Sequence, residues 1–511
     1  MKLNLSKTDF IAAASSGGVP PLFIQIPYAE PYLVYEAVSK SCQRRHRILL
    51  ESVKGPFKIA RYSFIAFDPY LVLNAKNGEL NISSPGSGKD AISFRPPLER
   101  LNELVSAYPQ VPARELPPFQ GGAIGLLSYD FVRYLEDIPR NAVDDLHIPD
   151  VHFMMADKVI SFDHFEKKAW LVLSPGARQT EQGFRELGDV DWQMAYEEAA
   201  DAIGGLSEQL AAYGEHRPGE KYSGSISSGT AGKRAFEIEH EIGKDRYMDM
   251  VRKAKEYIAA GDIFQANLSQ RLSASVEGVE PWGIYKILRH INPSPFAAFA
   301  DFGDYCIVSS SPERLVMVKD RIIETRPIAG TRPRGMNVDE DALMRAELLL
   351  NEKERAEHIM LIDLERNDIG RVAEFGSVSV DELMITEDYS HVIHIVSNIK
   401  GLLESGKNCF DLTKAVFPGG TITGVPKVRC MEIIDELEPV ARGPYTGSLG
   451  YVGFSGCMDL NIIIRSFVIK DNYAYVQAGA GIVADSDPER EYYETMKKAE
   501  ALIKTLEYLH Q

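Results

Sequence analysis

Positive charge is in short supply in this chain, which sets 56 Lys and Arg against 73 Asp and Glu over 511 residues, a formal net charge of −17 at pH 7. That deficit argues against nucleic acid or an anionic membrane as a partner, because both are recruited by positive potential. Cysteine is rarer still, with five in all (Cys42, Cys306, Cys409, Cys430 and Cys457), widely spaced and without a CxxC pair. Such spacing argues against a disulfide framework or a cysteine zinc site and fits a reducing cytoplasm, where we expect the protein to reside. No run reaches the roughly 18 apolar residues of a membrane helix. The opening MKLNLSKTDF has no apolar stretch behind its lysines, so no signal peptide is expected there. The shortage of cations also sets a condition on function. If the substrate is an anion, its site must gather positive charge locally from Arg, Lys, backbone N–H groups or a metal.

What is present is an ordinary globular mixture, 45% hydrophobic and 25% charged. The length suits two or three domains or one large interleaved unit. Residues 20 to 175 read mostly as short strands, among them HRILLES, RYSFIAFDPYLVLNA, GGAIGLLSYD, KVISFDH and KAWLVLS. Residues 192 to 212 read as helix. The Gly-, Ser- and Lys-rich stretch Tyr213 to Lys233 reads as a linker. We therefore expect an N-terminal subdomain over 1–212, a linker over 213–233 and a catalytic domain over 234–511. Beyond the linker, a helix over Asp245 to Gly261 ends at a glycine stop. Strands follow at IFQANLSQRL, PFAAFADFG and YCIVSSSPERLVMVK, then one long helix from about Asp339 to Leu364. Further strands are expected at GSLGYVGF, NIIIRSFVI and YAYVQAGAGIV, and a last helix from Pro488. Helices and strands alternate without a βαβ rhythm, so the expected class is an α+β layered sandwich.

Four segments carry polar or glycine residues that a plain core does not need. FPGGTITGVPK (Phe417 to Lys427) would let backbone N–H groups approach an oxyanion, but it lacks the ending of a nucleotide P-loop. In Gln477 to Ala499, Gly479 and Gly481 close a strand, and Glu491, Glu494 and Lys498 share one face of a helix; alone, that face reads as solvated. In Asn351 to Arg371, Glu354, Glu357 and His358 precede an apolar stretch, and Asp363, Glu365 and Asp368 follow it. Carboxylates from two converging helices could hold a hard cation such as Mg²⁺, though spacing alone does not make them converge. In Ser309 to Gly335, Glu313 follows a strand, and Arg326, Arg332 and Arg334 form the densest positive charge. These arginines could neutralise an anion or pair with surface acids.

Taken in order, these motifs resemble the chorismate-utilising family: anthranilate synthase component I, aminodeoxychorismate synthase component I and the isochorismate synthases. The resemblance runs from about residue 20 to 505 and is strongest through GDIFQANLSQR, NPSPFAAF, SPERL, TRPIAGTRPRG, NEKERAEHIMLIDLERNDIGR, FPGGTITGVPKVR, GPYTGSLGY and AGAGIVADS. It implies the layered sandwich of the anthranilate synthase component I type. It also implies Mg²⁺ held by Glu357 and Glu494. Arg465, Tyr445 and the backbone of Gly481 and Gly479 would then hold chorismate, with Thr421 and Lys498 near its ring carboxylate. By the same resemblance His394 faces the ring and Glu313 is the general acid. Gln265 stands where isochorismate synthases carry a water-activating Lys, which points to ammonia as nucleophile. None of the five cysteines sits in a glutaminase-like setting, so ammonia is expected from a separate glutamine amidotransferase subunit, component II.

The product is open between two readings. NPSPFAA and LERND resemble aminodeoxychorismate synthases, which we favour. Ala329 replaces the nucleophilic Lys that many of them use and resembles anthranilate synthases. The LLES segment, with Glu51 and Ser52, resembles an effector pocket found in both.

Overall fold

The computed structural model describes residues 2–41, 45–85, 89–182, 190–215, 236–388 and 392–509. Its frame is two antiparallel sheets of 12 strands each. The first runs from Leu22–Ile26 through Lys168–Leu173, Lys158–Asp163, Tyr62–Ala66, Arg47–Glu51, Phe296–Asp301, Tyr305–Ser311, Ser466–Lys470, Tyr473–Ile482 and Gln265–Ser275 to the short Glu239–His240. The second includes, in spatial order, Ile328–Pro333, Val392–Leu402, Ile322–Thr325, Arg314–Lys319, Met458–Asn461, Ser448–Gly453, Gly122–Leu127 and Val151–Ala156. Strands such as Gly122–Leu127 and Val151–Ala156 are buried at every position. That continuous burial replaces the usual alternation because both faces of the sheet are covered. One face meets the other sheet: Ile48, Phe64 and Ile307 of the first pack with Ile124, Met154 and Tyr451 of the second. The other face lies under helices, where Leu98, Leu101 and Leu104 join Leu71 and Phe153. This is the layered α+β sandwich expected from the sequence.

The segments on either side of the expected linker share both sheets. Arg47–Glu51 pairs with Phe296–Asp301, and Gly122–Leu127 pairs with Ser448–Gly453. Most of the linker, 216–233, lies outside the described residues.

Two runs expected to be single strands are each broken. YCIVSSSPERLVMVK forms Tyr305–Ser311 in the first sheet and Arg314–Lys319 in the second, so the chain crosses between layers at Pro312 and Glu313. NIIIRSFVI crosses back in the same way between Met458–Asn461 and Ser466–Lys470. The two crossovers lie side by side: Ile462 N–H donates to the Glu313 carbonyl (3.0 Å) and Ser310 N–H to the Arg465 carbonyl (3.1 Å). Arg465 turns with φ 50°, a left-handed conformation that costs a non-glycine residue about 1–2 kcal/mol.

The long helix expected over 339–364 is also two, Val338–Leu350 and Glu352–Gly370. Asn351 separates them. Its backbone is extended and its side chain accepts from Glu354 N–H, so it caps the second helix instead of continuing the first. Elsewhere the signals hold. Gly261 ends Lys244–Ala260 with φ 84°, and Asp487 caps the final helix Pro488–Tyr508.

Candidate active site

Glu313 is placed by the crossover just described, between the layers and only 7% exposed. Burial pushes its carboxyl up from 4.5 to about 7, against smaller opposing pulls from Thr421, Arg465 and Lys498. Thr421 lies beside it in the short 3-10 turn Gly420–Ile422, with its hydroxyl buried and short of a well-formed hydrogen bond. At neutral pH a substantial part of this carboxyl is therefore protonated in a site that can also hold anions.

His394 comes from the strand Val392–Leu402 opposite Thr331. Its Nδ1 lies 3.1 Å from the Gly330 carbonyl and 3.0 Å from the Thr331 hydroxyl. A carbonyl only accepts, so the proton belongs on Nδ1. Burial and then the charge of Arg465 lower its pKa to about 4, which keeps the ring neutral. Ala329 is buried in the adjoining strand, one residue before Gly330.

The helix Glu352–Gly370 and the helix Pro488–Tyr508 bring Glu357 and Glu494, each past the first turn of its helix, within electrostatic reach of one another. Burial is the main cause raising the Glu357 pKa, and Glu494 adds to it while Gln265, Lys498 and Lys353 oppose it. Gln265 Nε2 reaches toward Glu357 at 3.4 Å. Glu494 pairs with Lys498 at 2.9 Å, and Lys498 also donates to the Gly479 carbonyl at 2.9 Å. His358, next to Glu357 in sequence, points the other way into the protein and hydrogen-bonds Ser397 at 2.7 Å. Among the described residues no three His, Cys, Asp or Glu are grouped to hold a metal.

Gly479 and Gly481 form the floor. A side chain at Gly481 would begin 2.5 Å from Gln265 Nε2, and one at Gly479 would begin 2.5 Å from Asn267 Oδ1 and 2.9 Å from the Tyr445 hydroxyl. Tyr445 is buried beneath the stacked guanidinium of Arg442. Arg442 is itself buried and is gripped bidentately by Glu438 (2.9 and 2.7 Å), while it donates to the carbonyls of Asn267 (2.6 Å) and Ile422 (3.0 Å). This pair fastens the glycine turn to the strand Gln265–Ser275.

The structure thus gathers Glu313, Thr421, Arg465, Lys498, His394, Gln265, Glu357, Glu494, Tyr445, Gly479 and Gly481 into one connected set. Arg326, Arg332 and Arg334 are spent on acids instead: Arg326 on Glu382 and Glu387, Arg332 on Glu347 and Glu354, Arg334 on Asp341. Glu51 and Ser52 stand apart, on a separate cleft of about 340 Å³ with Tyr28, Lys54, His164 and Arg289. There Glu51 is already held by Arg289 (2.9 and 3.0 Å) and Tyr285 (2.5 Å).

Two features of the site escape sequence reading. One is Asn267, hidden inside a strand motif. The second is the Glu438–Arg442 pair, whose i,i+4 spacing is the only hint of it. Glu365, one of the carboxylates singled out in the sequence, is buried, which pushes its carboxyl up to about 8, with the charges of Glu313 and Asp368 adding to the effect.

Comparison with known proteins agrees with this fold. The family model for chorismate binding enzyme matches residues 45–504. Aminodeoxychorismate synthase component 1 of Bacillus subtilis (strain 168) is 41% identical over 485 residues, 94% of this chain and 96% of that protein. Anthranilate synthase component 1 of Acetivibrio thermocellus is 44% identical over 459 residues, 90% of each. The crystal structure of anthranilate synthase component I from Streptococcus pneumoniae TIGR4 superposes with a TM-score of 0.74 at 36% identity, covering 87% of this chain and 92% of that one.

Proposed function

This chain belongs to the family of chorismate binding enzymes, and from that premise we propose that it replaces a ring hydroxyl of chorismate with ammonia. The observation that carries the reading is Glu313, a carboxyl buried between layers and held up to about 7 beside Arg465 and Lys498. Hydroxide is a poor leaving group, so the departing oxygen must take a proton, and Glu313 is the acid placed to give it. The C–N bond forms as the C–O bond breaks, and the hydroxyl leaves as water with the Glu313 proton. The protonated amine then returns a proton to the Glu313 carboxylate. Arg465 and Tyr445 hold the enolpyruvyl carboxylate, Thr421 and the backbone at Gly479 and Gly481 seat the ring, and neutral His394 faces it.

Mg²⁺ fits the donor set. Glu357 and Glu494 offer hard oxygens from two helices, and such a cation is commonly held by one or two carboxylates, with substrate and water completing its shell. When bound, the ion would neutralise the ring carboxylate of chorismate.

A separate glutaminase subunit supplies the ammonia. In support, burial pushes Cys306, Cys409 and Cys430 up to about 12 and also raises Cys457, so none of these four is a ready nucleophile. The product is 4-amino-4-deoxychorismate, a precursor of p-aminobenzoate and folate. Ala329 favours a second reading, anthranilate and pyruvate on the route to tryptophan, because it offers no nucleophile and leaves ammonia to attack the ring itself. The cleft at Glu51 and Ser52 is a candidate effector pocket under either reading.

The test is chorismate consumption with an ammonium salt and Mg²⁺, with and without a chelator, and with chromatographic identification of the product. Expected is metal-dependent formation of a product that yields p-aminobenzoate only after a lyase is added. Blue-fluorescent anthranilate would decide for the second reading, and no consumption would overturn both.

A further inference from the structure

The motif GGAIGLLSYD, which lies before the linker, ends in Asp130, a buried carboxylate in the turn Tyr129–Tyr134. One of its oxygens accepts the Gly443 N–H at 2.9 Å, across 313 positions of sequence. The adjacent Tyr129 N–H donates to the Gly443 carbonyl at 2.7 Å. Both polar groups of Gly443 are therefore taken by one short segment. The Tyr129 ring also lies beneath the guanidinium of Arg442, with its centre 4.9 Å from Cζ. Asp130 is steadied in turn by Arg133 at 3.6 Å, and Arg133 is fixed by Asp435 at 2.6 Å and the Ile138 carbonyl at 3.1 Å.

Gly443 governs the turn that presents Tyr445. Its φ is 54°, in the left-handed region, and Pro444 follows it. The Tyr445 N–H closes the turn on the Arg442 carbonyl at 3.1 Å. Glycine takes either sign of φ, and proline has no N–H with which to hold the turn, so the pair does not fix its own conformation. The two hydrogen bonds to Gly443 supply that constraint from outside. The one to Asp130 is the stronger, because an ionised acceptor binds an N–H about twice as strongly as a neutral one. Tyr445 follows two residues on, and its hydroxyl lies 2.9 Å from the point where a Gly479 side chain would begin. A carboxylate is also a costly acceptor to bury for structure alone, since burial disfavours its charge.

We propose that Asp130 is a positioning residue for chorismate: it holds Gly443 so that the Tyr445 hydroxyl meets the enolpyruvyl carboxylate. This rests on the chorismate reading above. Asp130 touches no substrate itself, yet it makes the segment before the linker part of the apparatus that binds one.

The test follows chorismate consumption by the full chain with ammonium chloride and Mg²⁺, for wild type, Asp130→Ala, Tyr445→Phe and the double variant. In Asp130→Ala the KM for chorismate is expected to rise about tenfold while the KM for ammonium stays within about twofold. In the Tyr445→Phe background, which already lacks the hydroxyl, the same substitution should move the KM for chorismate by less than about twofold. Asp130→Asn keeps an amide oxygen for the Gly443 N–H, so its KM for chorismate is expected within about twofold of wild type. A residue that only stabilised the fold would act equally in both backgrounds. If Asp130→Ala does not fold, Asp130→Ser takes its place in the cycle, because its hydroxyl keeps the position polar but is too short to reach Gly443. An equal rise with and without the Tyr445 hydroxyl, an unchanged KM for chorismate, or an Asn variant as impaired as the Ala variant overturns the assignment. If wild type itself consumes no chorismate, the amination reading fails first, and the two failures are thereby told apart.

Discussion

Glu313→Gln removes the proposed acid while keeping the shape and the hydrogen-bonding capacity of the side chain, and it is expected to trade activity for stability. General acid catalysis contributes about 10²–10⁴-fold, so kcat should fall by that factor with chorismate affinity largely kept. The stability effect has a defined sign. The folded carboxyl titrates near about 7 against 4.5 for a free one, so the acid is bound more tightly in the folded protein. Its contribution is fully present below about 4.5 and is lost as pH rises through about 7. At about 1.4 kcal/mol for each tenfold change in proton affinity, the loss comes to about 3 kcal/mol as an upper figure. Glutamine does not titrate, so relative to wild type the variant should gain up to that amount between about pH 5 and pH 8. Urea unfolding of both proteins across that range measures the difference, and its pH dependence cancels any constant cost of the substitution. Turnover of wild type, plotted against free ammonia so that the rising ammonia fraction does not mask it, should decline as pH passes about 7. A stability gap that stays flat with pH, or a variant that turns over within about tenfold of wild type, would refute the reasoning.

Glu365 offers a related test. Thr325 has one hydroxyl proton and lies 2.9 Å from the Leu315 carbonyl and 2.6 Å from Glu365 Oε2. If the carbonyl takes that proton, Glu365 must donate its own, so Glu365→Gln, whose amide also donates, should raise the melting temperature at about pH 8 more than at about pH 6. Arg442→Met strands the buried Glu438 and should cost about 3–5 kcal/mol in denaturant unfolding, whereas Arg442→Met with Glu438→Leu should recover much of it.

The elements that were legible in the sequence are those decided locally. Gly261 needs a left-handed backbone and stops a helix; Asp487 supplies an oxygen to a helix start; apolar runs of six residues become strands. The misreadings share a cause. SSSPERLV and NIIIRSF look continuous because apolar residues flank them, yet a strand must switch layers wherever its neighbours in space do, and that is set by pairing partners more than 100 residues away. Pro312 and Arg465 were the visible traces of those switches. Asn351 was misread because a single capping side chain outweighed the helical periodicity on both sides. Asn267 stayed hidden for a different reason: nothing in a strand pattern tells a satisfied carboxamide from one whose oxygen has no donor. That is a property of the neighbouring glycines, and of the register that sets Gly481 opposite Asn267 and Gly479 diagonal to it.

The net charge returns here as a constraint on the site. The densest cluster of arginines in the sequence is neutralised by carboxylates of its own surroundings, so it contributes little to an incoming anion. Within the gathered set, Arg465 and Lys498 are balanced by Glu357 and Glu494, while burial keeps His394 neutral and a substantial part of Glu313 protonated. The site as it stands is therefore close to electrically neutral, and a dianion entering it would leave two charges uncompensated. A ring carboxylate would also compete with Glu494 for Lys498. Two added positive charges would remove both difficulties at once, which a divalent cation held by Glu357 and Glu494, as proposed above, would supply and a further lysine would not. The same count explains why the acid has to be buried instead of paired. A Glu313 held by a close arginine would be ionised and useless as a proton donor, and would add a third negative charge to a pocket that already has none to spare.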